Sequence, residues 1–507
     1  MSTAPKTAAD FQRLHHPLAQ SSKVWEVHEN PAPKGTVRYL FTAAQNATPV
    51  QPKVWAAILQ MKKHLDAHLS VIELRYKNPT SKWSRSQEDR ETWAPEVRPY
   101  ALNQTMKVNK NLVCVGSIKV VPTASNPLGE CEGFTGAEST IVGHTKYQFK
   151  TVTVPGAQMA KLMTTTGACT MENYTNSRAG AKGEFHHTFG VVLVELDKGG
   201  LFYLRHINFT DDVIGIDLYT MYTPTGVKPA PQPEAITLGD THVRFTDKLV
   251  DKANFGPAGM VTTLRPKRIY WEDVCDGHSV NHHDWDDPFM EQANAVSGFD
   301  DVQAEVFEAV DFVARRTPPF AVSYMVPDNH GDFLHTWIKK RDWKKLPTIQ
   351  RAFYLETAAR MHENSVMGPD GAEIPRPWPY WVKRRLAEKW DGLLDRVVVL
   401  TGKPGEKGSR LMGVQMDLHG HKGPNGARGS VKNLARIASK VTSAHGHSPA
   451  VEEGHHRVGT NSRLRLKYID GSPSGWLHAN DFLHANGKRQ LVIIIAGKYR
   501  LEDRPGK

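Results

Sequence analysis

Long hydrophobic runs are missing from this chain of 507 residues. The longest aliphatic run, Leu491–Ala496, is far shorter than the roughly 20 apolar residues that a membrane-spanning helix needs. The first residues, MSTAPKTAADFQRLHH, contain no apolar segment of the kind found in secretory signals. We therefore expect a cytoplasmic protein without a membrane partner.

Cysteine is also scarce. The four cysteines, Cys114, Cys131, Cys169 and Cys275, show none of the Cys-x-x-Cys spacing that is typical of zinc ribbons. Isolated cysteines are typical of free thiols in a reducing compartment. The pattern indicates that the protein is not a zinc ribbon.

The charge of the chain is biased towards cations. Its 64 Lys and Arg residues outnumber 53 Asp and Glu residues, which gives a formal net charge of +11. The hydrophobic fraction of 39% and the charged fraction of 23% are typical of a soluble globular protein. An excess of cations favours polyanionic partners such as nucleic acid without identifying one.

The length predicts at least two domains, and a proline-rich stretch indicates where they meet. Residues 1–35 are polar and are expected to form an N-terminal arm, and residues 36–223 an α+β domain of unknown role. Residues 224–233, PTGVKPAPQP, are a predicted linker because proline continues neither a helix nor a central strand. Residues 234–507 form the second predicted domain, an α/β domain with a helical, basic insertion at 333–395.

Hydrophobic periodicity predicts the elements of both domains. In the first, Pro52 opens a predicted helix whose apolar face runs from Val54 to Leu69, and β-rich runs follow at Leu112–Val121, Ile141–Val154 and Phe189–Leu196. In the second, the predicted strands are Arg268–Trp271, Phe320–Val326, Val397–Leu400, Arg463–Tyr468 and Leu491–Ile495. Asp300 or Asp301 can cap a helix that has Val302, Val306, Val310 and Val313 on one face.

One stretch of the second domain, AITLGDTHVR at residues 235–244, suggests chemistry. A short apolar strand ends at Gly239, and Asp240 and His242 then project from its carboxyl end, where ligands collect in α/β folds. A carboxylate beside an imidazole suits Mn, Fe or Zn better than Ca or Mg. Taken alone, the motif is equally compatible with a polar turn after a strand.

Further metal-capable side chains lie in later loops that follow a predicted strand or stand where a strand should end. They are Asp273 and Asp276, then Asn329 and His330, then His419 and His421, and finally His445 and His447. In this order the loops resemble the motifs of the calcineurin-like metallophosphoesterase superfamily: Asp-x-His, Gly-Asp-x-x-Asp, Gly-Asn-His-Asp/Glu, a lone His and Gly-His-x-His. The resemblance covers roughly residues 232–500. It implies a four-layer α/β/β/α metallophosphoesterase sandwich for the C-terminal half.

The resemblance also implies roles for these residues. Asp240, His242 and His447 would hold one metal ion, Asp273 would bridge two ions, and Asn329, His419 and His445 would hold the second. His330 would be the general acid or transition-state stabiliser, oriented by a hydrogen bond that Asp276 accepts. His421 remains an alternative to His419. We expect two divalent ions, with Mn preferred and Mg, Fe or Zn as alternatives.

The sequence departs from the family pattern at four positions outside the ligands. Glu272, Asp328 and Ala444 stand where the family has glycine, and Gly331 stands where an acidic residue is common.

The insertion at 333–395 bears on the substrate. Its basic clusters, including Lys339, Lys340 and Arg341, alternate with tryptophans. This pattern is typical of a DNA-binding surface, in which cations bind phosphates and aromatic rings stack on bases. Amphipathic helices with buried tryptophans are an equal alternative. The layout also resembles the recombination-repair exonucleases of this superfamily and the early host-DNA-degrading proteins of tailed bacteriophages.

We therefore predict a two-metal phosphodiesterase that hydrolyses DNA, in the host cytoplasm if the chain is phage-encoded. One alternative is a cyclic-nucleotide or small-molecule phosphodiesterase. Another is a nucleic-acid-binding or host-interaction protein with a vestigial metal site. The sequence leaves both a monomer and a homo-oligomer open.

Overall fold

A computed structural model describes residues 37–501, apart from 75–92, 117, 119, 156–158, 283, 286, 369–370, 374 and 404. The predicted arm at 1–35 lies outside the described residues. The described chain is a mixed α/β structure with several sheets. Among the helices of this described part, none is long and apolar enough to cross a membrane.

The helices lie mostly in the second half of the chain. They are α1 (Pro52–Leu65), α2 (Arg178–Phe185), α3 (Lys248–Phe255), α4 (Met260–Leu264), α5 (Pro288–Ser297), α6 (Val302–Arg316), α7 (Asn329–Lys340), α8 (Thr348–Glu363), α9 (Pro377–Lys389) and α10 (Val431–Leu434).

The strands of residues 37–233 are β1 (Arg38–Gln45), β2 (His68–Leu74), β3 (Ala101–Leu102), β4 (Thr105–Asn109), β5 (Leu112–Val115), β6 (Ser139–Val142), β7 (Phe149–Val152), β8 (Lys161–Thr165), β9 (Gly190–Leu196), β10 (Phe202–Asn208), β11 (Gly215–Asp217), β12 (Thr220–Thr223) and β13 (Gly226–Pro229). Those that follow are β14 (Ala235–Thr237), β15 (Arg268–Trp271), β16 (Val322–Met325), β17 (Val366–Gly368), β18 (Gly371–Glu373), β19 (Val397–Val399), β20 (Arg410–Leu411), β21 (Val414–Gln415), β22 (Lys440–Ser443), β23 (Ala450–Glu452), β24 (His455–Arg457), β25 (His478–Leu483) and β26 (Arg489–Ile494).

The second half is built on a six-stranded sheet with the order β19-β16-β15-β14-β25-β26. Strands β14, β15, β16 and β19 run parallel, so their carboxyl ends share one edge. Ile269 and Trp271 of β15 pack on one face with the helices, and Tyr270 packs on the other face with Val414 and Met416. This alternation places helices on one side of the sheet and a second sheet on the other.

That second sheet has ten strands, in the order β20-β21-β22-β24-β23-β7-β8-β6-β5-β4. Antiparallel pairing of β7 with β23 joins strands from before and after the predicted linker. A five-stranded sheet, β10-β9-β1-β2-β3, packs against it through residues such as Phe41 and Phe149, and α1 covers its other face. Strands from both predicted domains therefore belong to the same sheet. The division into two domains stays a prediction.

Several predicted elements have different bounds. The helix that Pro52 opens ends at Leu65, because Asp66 adopts a left-handed φ of 48°, and Leu69 belongs to β2. The predicted linker contains β13, which pairs with β12. Residues 463–466 form no strand, and a 3-10 turn covers Lys467–Ile469. The helix expected after Asp300 or Asp301 is α6, since Asp301 caps it by accepting a hydrogen bond from Ala304 N at 3.0 Å.

Candidate metal centre

Polar side chains from five loops meet where strands of both large sheets end. The six-stranded sheet contributes Asp240 and His242 after β14, Asp273 after β15, and Asn329 and His330 after β16. The ten-stranded sheet contributes His419 after β21, and His445 and His447 after β22. Because β14, β15 and β16 run parallel, as do β21 and β22, each set of loops emerges from one edge of its sheet.

These loops turn sharply. His242, Asp273, His445 and His447 have φ values of 42°, 39°, 67° and 51°. Residues other than glycine adopt this left-handed conformation rarely, and such conformations cluster at functional sites. Gly239 is required for a different reason, since a Cβ there would lie 2.8 Å from the carbonyl oxygen of Gly459.

The first group of potential ligands consists of Asp240, His242 and His447. Asp240 Oδ2 lies 2.8 Å from His447 Nε2, and His447 Nε2 lies 3.2 Å from His242 Nε2. All three residues are buried. Two imidazole nitrogens that face each other beside a carboxylate are suited to a shared cation.

Asp273 belongs to both of the other groups that could hold a metal ion. One consists of Asp273, His419 and His445, and the other of His242, Asp273 and His330. Asp273 Oδ2 lies 3.1 Å from His419 Nε2 and 3.9 Å from His330 Nε2. A single carboxylate thus lies between the two sets of imidazoles, which is the position of a bridging ligand.

Several atoms of the site are buried without a hydrogen bond to any described residue. Asp273 Oδ1 and Asn329 Oδ1 are two of them. Asp240 Oδ2 and His419 Nε2 also form no hydrogen bond of regular geometry, although they have ion-pair contacts with His447 and Asp273. Buried polar atoms are nearly always satisfied, so a convergent set of unsatisfied oxygen and nitrogen donors points to a missing partner. Mixed carboxylate, imidazole and amide donors fit a divalent transition metal ion. The residues therefore fit a divalent metal ion of the kind that the sequence predicts.

Asp240 and Asp273 keep their negative charge in this buried place, because the pKa of each carboxyl is lowered. Burial opposes the ionisation of Asp273, yet His330 and His419 hold the pKa of its carboxyl well below its usual range. Burial would lower the pKa of His419, but Asp273 and Glu272 raise it well above its usual value. The centre thus attracts positive charge, which a divalent ion can supply in place of the protons.

His330 faces Asp273, but its predicted support differs in one respect. Nδ1 of His330 donates a hydrogen bond to the backbone carbonyl of Asp276, not to the Asp276 carboxylate. That carboxylate lies 3.2 Å from Nδ1 of His242 and raises the pKa of His242 to about 9 against the effect of burial. The loop turns the side chain of Asp276 towards His242, a potential metal ligand, and a sequence motif does not encode this direction.

His419 and His421 differ in their position relative to the potential metal ligands. Among the described residues, the groups that could hold a metal include His419 and not His421. The His421 ring lies 5.5 Å from the ring of His419, and both of its nitrogens are buried without a hydrogen bond to a described residue. Burial and the charge of His419 lower the pKa of His421 to about 4. His421 is thus a neutral neighbour of the centre.

Two departures from the family motifs have structural explanations. Glu272 is fully buried and accepts a hydrogen bond from His419 Nδ1 at 2.9 Å, so it orients that imidazole. Gly331 lies under Trp378, because a Cβ at Gly331 would be 3.1 Å from the indole. Sequence analysis identified Glu272 as a departure from the family motif but did not predict that it would orient His419. The signal that could have indicated this role was a carboxylate at a position where the family has glycine.

The predicted DNA-binding residues lie away from the centre. Lys339 and Lys340 are exposed at the end of α7, about 15 Å along the helix from Asn329 at 1.5 Å per residue. The Arg341 guanidinium lies 5.1 Å from the Trp285 ring.

Most other members of the insertion support the alternative of amphipathic helices. Trp337 and Trp381 are each 1% exposed and cannot stack on bases. Arg385 forms two bonds of 2.9 Å with Asp311, and Arg384 pairs with Glu356 at 2.7 Å. Arg384 and Arg385 join helices to one another, so the candidate contact residues that remain are Lys339 and Lys340 at the end of α7 and the exposed Trp343, Lys344 and Lys345 that follow.

The chain is similar to Protein A1 of Escherichia phage T5. The two are 26% identical over 493 residues, which amount to 95% of this chain and 85% of the relative. The similarity therefore extends across both halves of the chain. No protein-family model matches the chain, and no solved structure matches it.

Proposed function

We propose that the protein is a two-metal phosphodiesterase that hydrolyses DNA, and that its second half is a metallophosphoesterase sandwich. The observation that carries the proposal is the position of Asp273 between two sets of ligands. Both sets contain the side chains that the family motifs specify, although these come from five separate loops. Chance would not assemble them in this order around one carboxylate.

The residues divide the work between two sites. Asp240, His242 and His447 would hold one ion, and Asn329, His419 and His445 the other, with Asp273 shared. Two bound divalent ions would lower the pKa of a water molecule and neutralise charge on the phosphoryl group. The protein holds the ligands in place through buried partners, of which Glu272 behind His419 and Asp276 behind His242 are two.

His330 is placed to act on the substrate. Because its Nδ1–H donates to the carbonyl of Asp276, its Nε2 is directed towards Asp273 and the centre. A protonated Nε2 can stabilise the developing charge or give a proton to the leaving oxygen, a contribution of about 10²–10⁴-fold in rate.

DNA as the substrate is supported by two further observations. The formal net charge of +11 favours a polyanion. The similarity to a phage protein supports a phage origin, which would place the activity in the host cytoplasm.

The test uses the full-length protein with linear and circular DNA, in Mn, in Mg and in chelator. We expect cleavage that needs the metal and is greatest with Mn, together with bound transition metal by elemental analysis. Asp273→Asn should lose most activity, whereas Asp212→Asn, at an exposed position, should not. A protein with no transition metal and no response to Mn would contradict the proposal and favour the vestigial site.

A further inference from the structure

A cavity of about 260 Å³ lies directly beside the metal centre. One wall is His445, a proposed ligand, and the opposite walls include Arg428, Arg457, Ser443 and His455. We call this cavity the arginine pocket. The metal centre as described does not use its two arginines.

Arg457 reaches the pocket from the end of β24 and lies against the ligand loop. Its Nε donates a hydrogen bond to the carbonyl of Ser448 at 2.8 Å. A Cβ on Gly446 would lie 2.6 Å from Nη1 of Arg457, so the guanidinium occupies the space beside the backbone between His445 and His447. The glycine between these two histidines therefore makes room for a cation.

The charge of this guanidinium has no counterpart nearby. In the described part of the chain, neither Arg457 nor Arg428 has a carboxylate within salt-bridge distance. Burial lowers the pKa of Arg457 to about 10, and the more distant Asp240 offsets only part of that effect. A half-buried guanidinium that lines a cavity without a carboxylate partner is suited to an anionic ligand.

The other walls are neutral and cannot supply that anion. His455 Nδ1 lies 3.2 Å from the carbonyl of Val431, to which it donates, so His455 Nε2 accepts from Ser443 Oγ at 2.7 Å. Gly420 and Gly429 also line the pocket. A Cβ on Gly429 would lie 1.7 Å from the carbonyl oxygen of Gly420, so this position has no room for a side chain.

We propose that the arginine pocket binds the phosphate next to the scissile one, so that the enzyme recognises a strand by two adjacent phosphates. This inference rests on the proposed phosphodiesterase activity for its substrate. Arginine suits the role because its planar guanidinium binds phosphate oxygens in pairs. A substrate with only one phosphate would leave the pocket without its ligand.

The test compares substrates that differ in the number of phosphates. Bis(p-nitrophenyl) phosphate has one, whereas the thymidine dinucleotides pdTpdT and dTpdTp carry a second phosphate beside the scissile one. Arg428→Gln, at an exposed position, and Arg457→Lys should raise KM for one of the dinucleotides by about 10- to 100-fold, the range of a lost hydrogen bond to a charged group. KM for bis(p-nitrophenyl) phosphate should stay unchanged.

Arg436→Gln is the matched control, because Arg436 is exposed and does not line the pocket. Circular dichroism checks the fold, and Arg428→Gln stays informative if Arg457→Lys does not fold. Equal effects on all substrates, or no effect on either dinucleotide, would overturn the proposal.

A binding measurement separates this inference from the activity. Calorimetry with thymidine 3′,5′-bisphosphate on the full-length protein should show weaker binding for Arg428→Gln than for Arg436→Gln. If Arg428→Gln binds the bisphosphate more weakly than Arg436→Gln but the unaltered protein turns over no substrate, only the proposed phosphodiesterase activity is contradicted. Equal affinities of the two variants would contradict the pocket even if DNA is cleaved.

Discussion

Replacing Glu272 by Gln should weaken metal binding without destabilising the metal-free protein. Glu272 accepts the hydrogen bond from His419 Nδ1 at 2.9 Å and so fixes the tautomer that leaves Nε2 free for a metal. Partners of this kind contribute about 10- to 100-fold in metal affinity. Gln keeps an acceptor but cannot take up the negative charge that a metal ion bound to His419 would favour on Glu272, so we expect a loss of about tenfold, and about 100-fold for Glu272→Ala.

The effect on stability has a different origin. Burial raises the pKa of Glu272 to about 8, from an ordinary value of 4.5. Such a shift destabilises the metal-free protein at pH 7 by about 3 kcal/mol, which is the upper limit of what Gln could recover. An unsatisfied amide would take back about 1 kcal/mol or more. The free energy of unfolding in chelator should therefore be unchanged or raised.

The assay combines calorimetric titration with Mn and urea unfolding in chelator. Glu305→Gln is the matched control, because Glu305 is also buried but accepts its hydrogen bonds from the backbone of His278 and Ser279. That variant should leave metal affinity unchanged. If Glu272→Gln binds Mn as tightly as the unaltered protein, or loses stability in chelator, Glu272 has no positioning role.

Three further predictions concern catalysis, DNA binding and pH. His330→Ala should keep both metals and bind DNA but cleave it about 10²–10⁴-fold more slowly, with a smaller loss for a leaving group of low pKa; loss of metal in proportion to activity would make His330 a ligand. Neutralising residues 339–341 should weaken DNA cleavage, and the slope of log binding constant against log salt concentration should flatten by about one unit per lost phosphate contact. Equal losses of activity on a small phosphodiester would instead show that these residues have a structural role. Stability should fall as the pH drops from about 6.5 to about 4, because burial lowers the pKa of His144 to about 4 and the unfolded state takes up the proton first. His144→Gln should flatten this dependence in urea unfolding at several pH values, and an unaltered slope would contradict it.

The parts of the fold and site that local sequence determines could be predicted. Strand β15 has the predicted bounds, Arg268–Trp271, and the valines from Val302 to Val313 are buried along α6 as their spacing indicated. The strands before Asp240, Asp273 and Asn329 were predicted, so placing these residues at strand ends required only the apolar runs and the polar residues after them. The strand before His445 and His447, β22, was not predicted.

What the sequence could not supply depends on contacts between distant residues. Pairing of β7 with β23 joins residues about 300 positions apart, and no periodicity encodes it. The direction of the Asp276 carboxylate depends on how its loop packs against His242. Burial of Trp337 likewise depends on which helices surround it, since amphipathic spacing is the same for a buried and a stacking ring.

The pairing of β7 with β23 determines how the protein can be dissected. A fragment that begins at the predicted linker would lack β4–β8 and would expose the backbone edge of β23, with Val451 no longer covered by Phe149. Free edges of this kind invite aggregation. The loops that hold His419, His445 and His447 grow from the same sheet, so its first strands support the centre although they contribute none of its proposed ligands. A truncated form that keeps this centre would have to retain residues from Arg38 onwards, because β1 is the central strand of the five-stranded sheet that packs on the ten-stranded sheet.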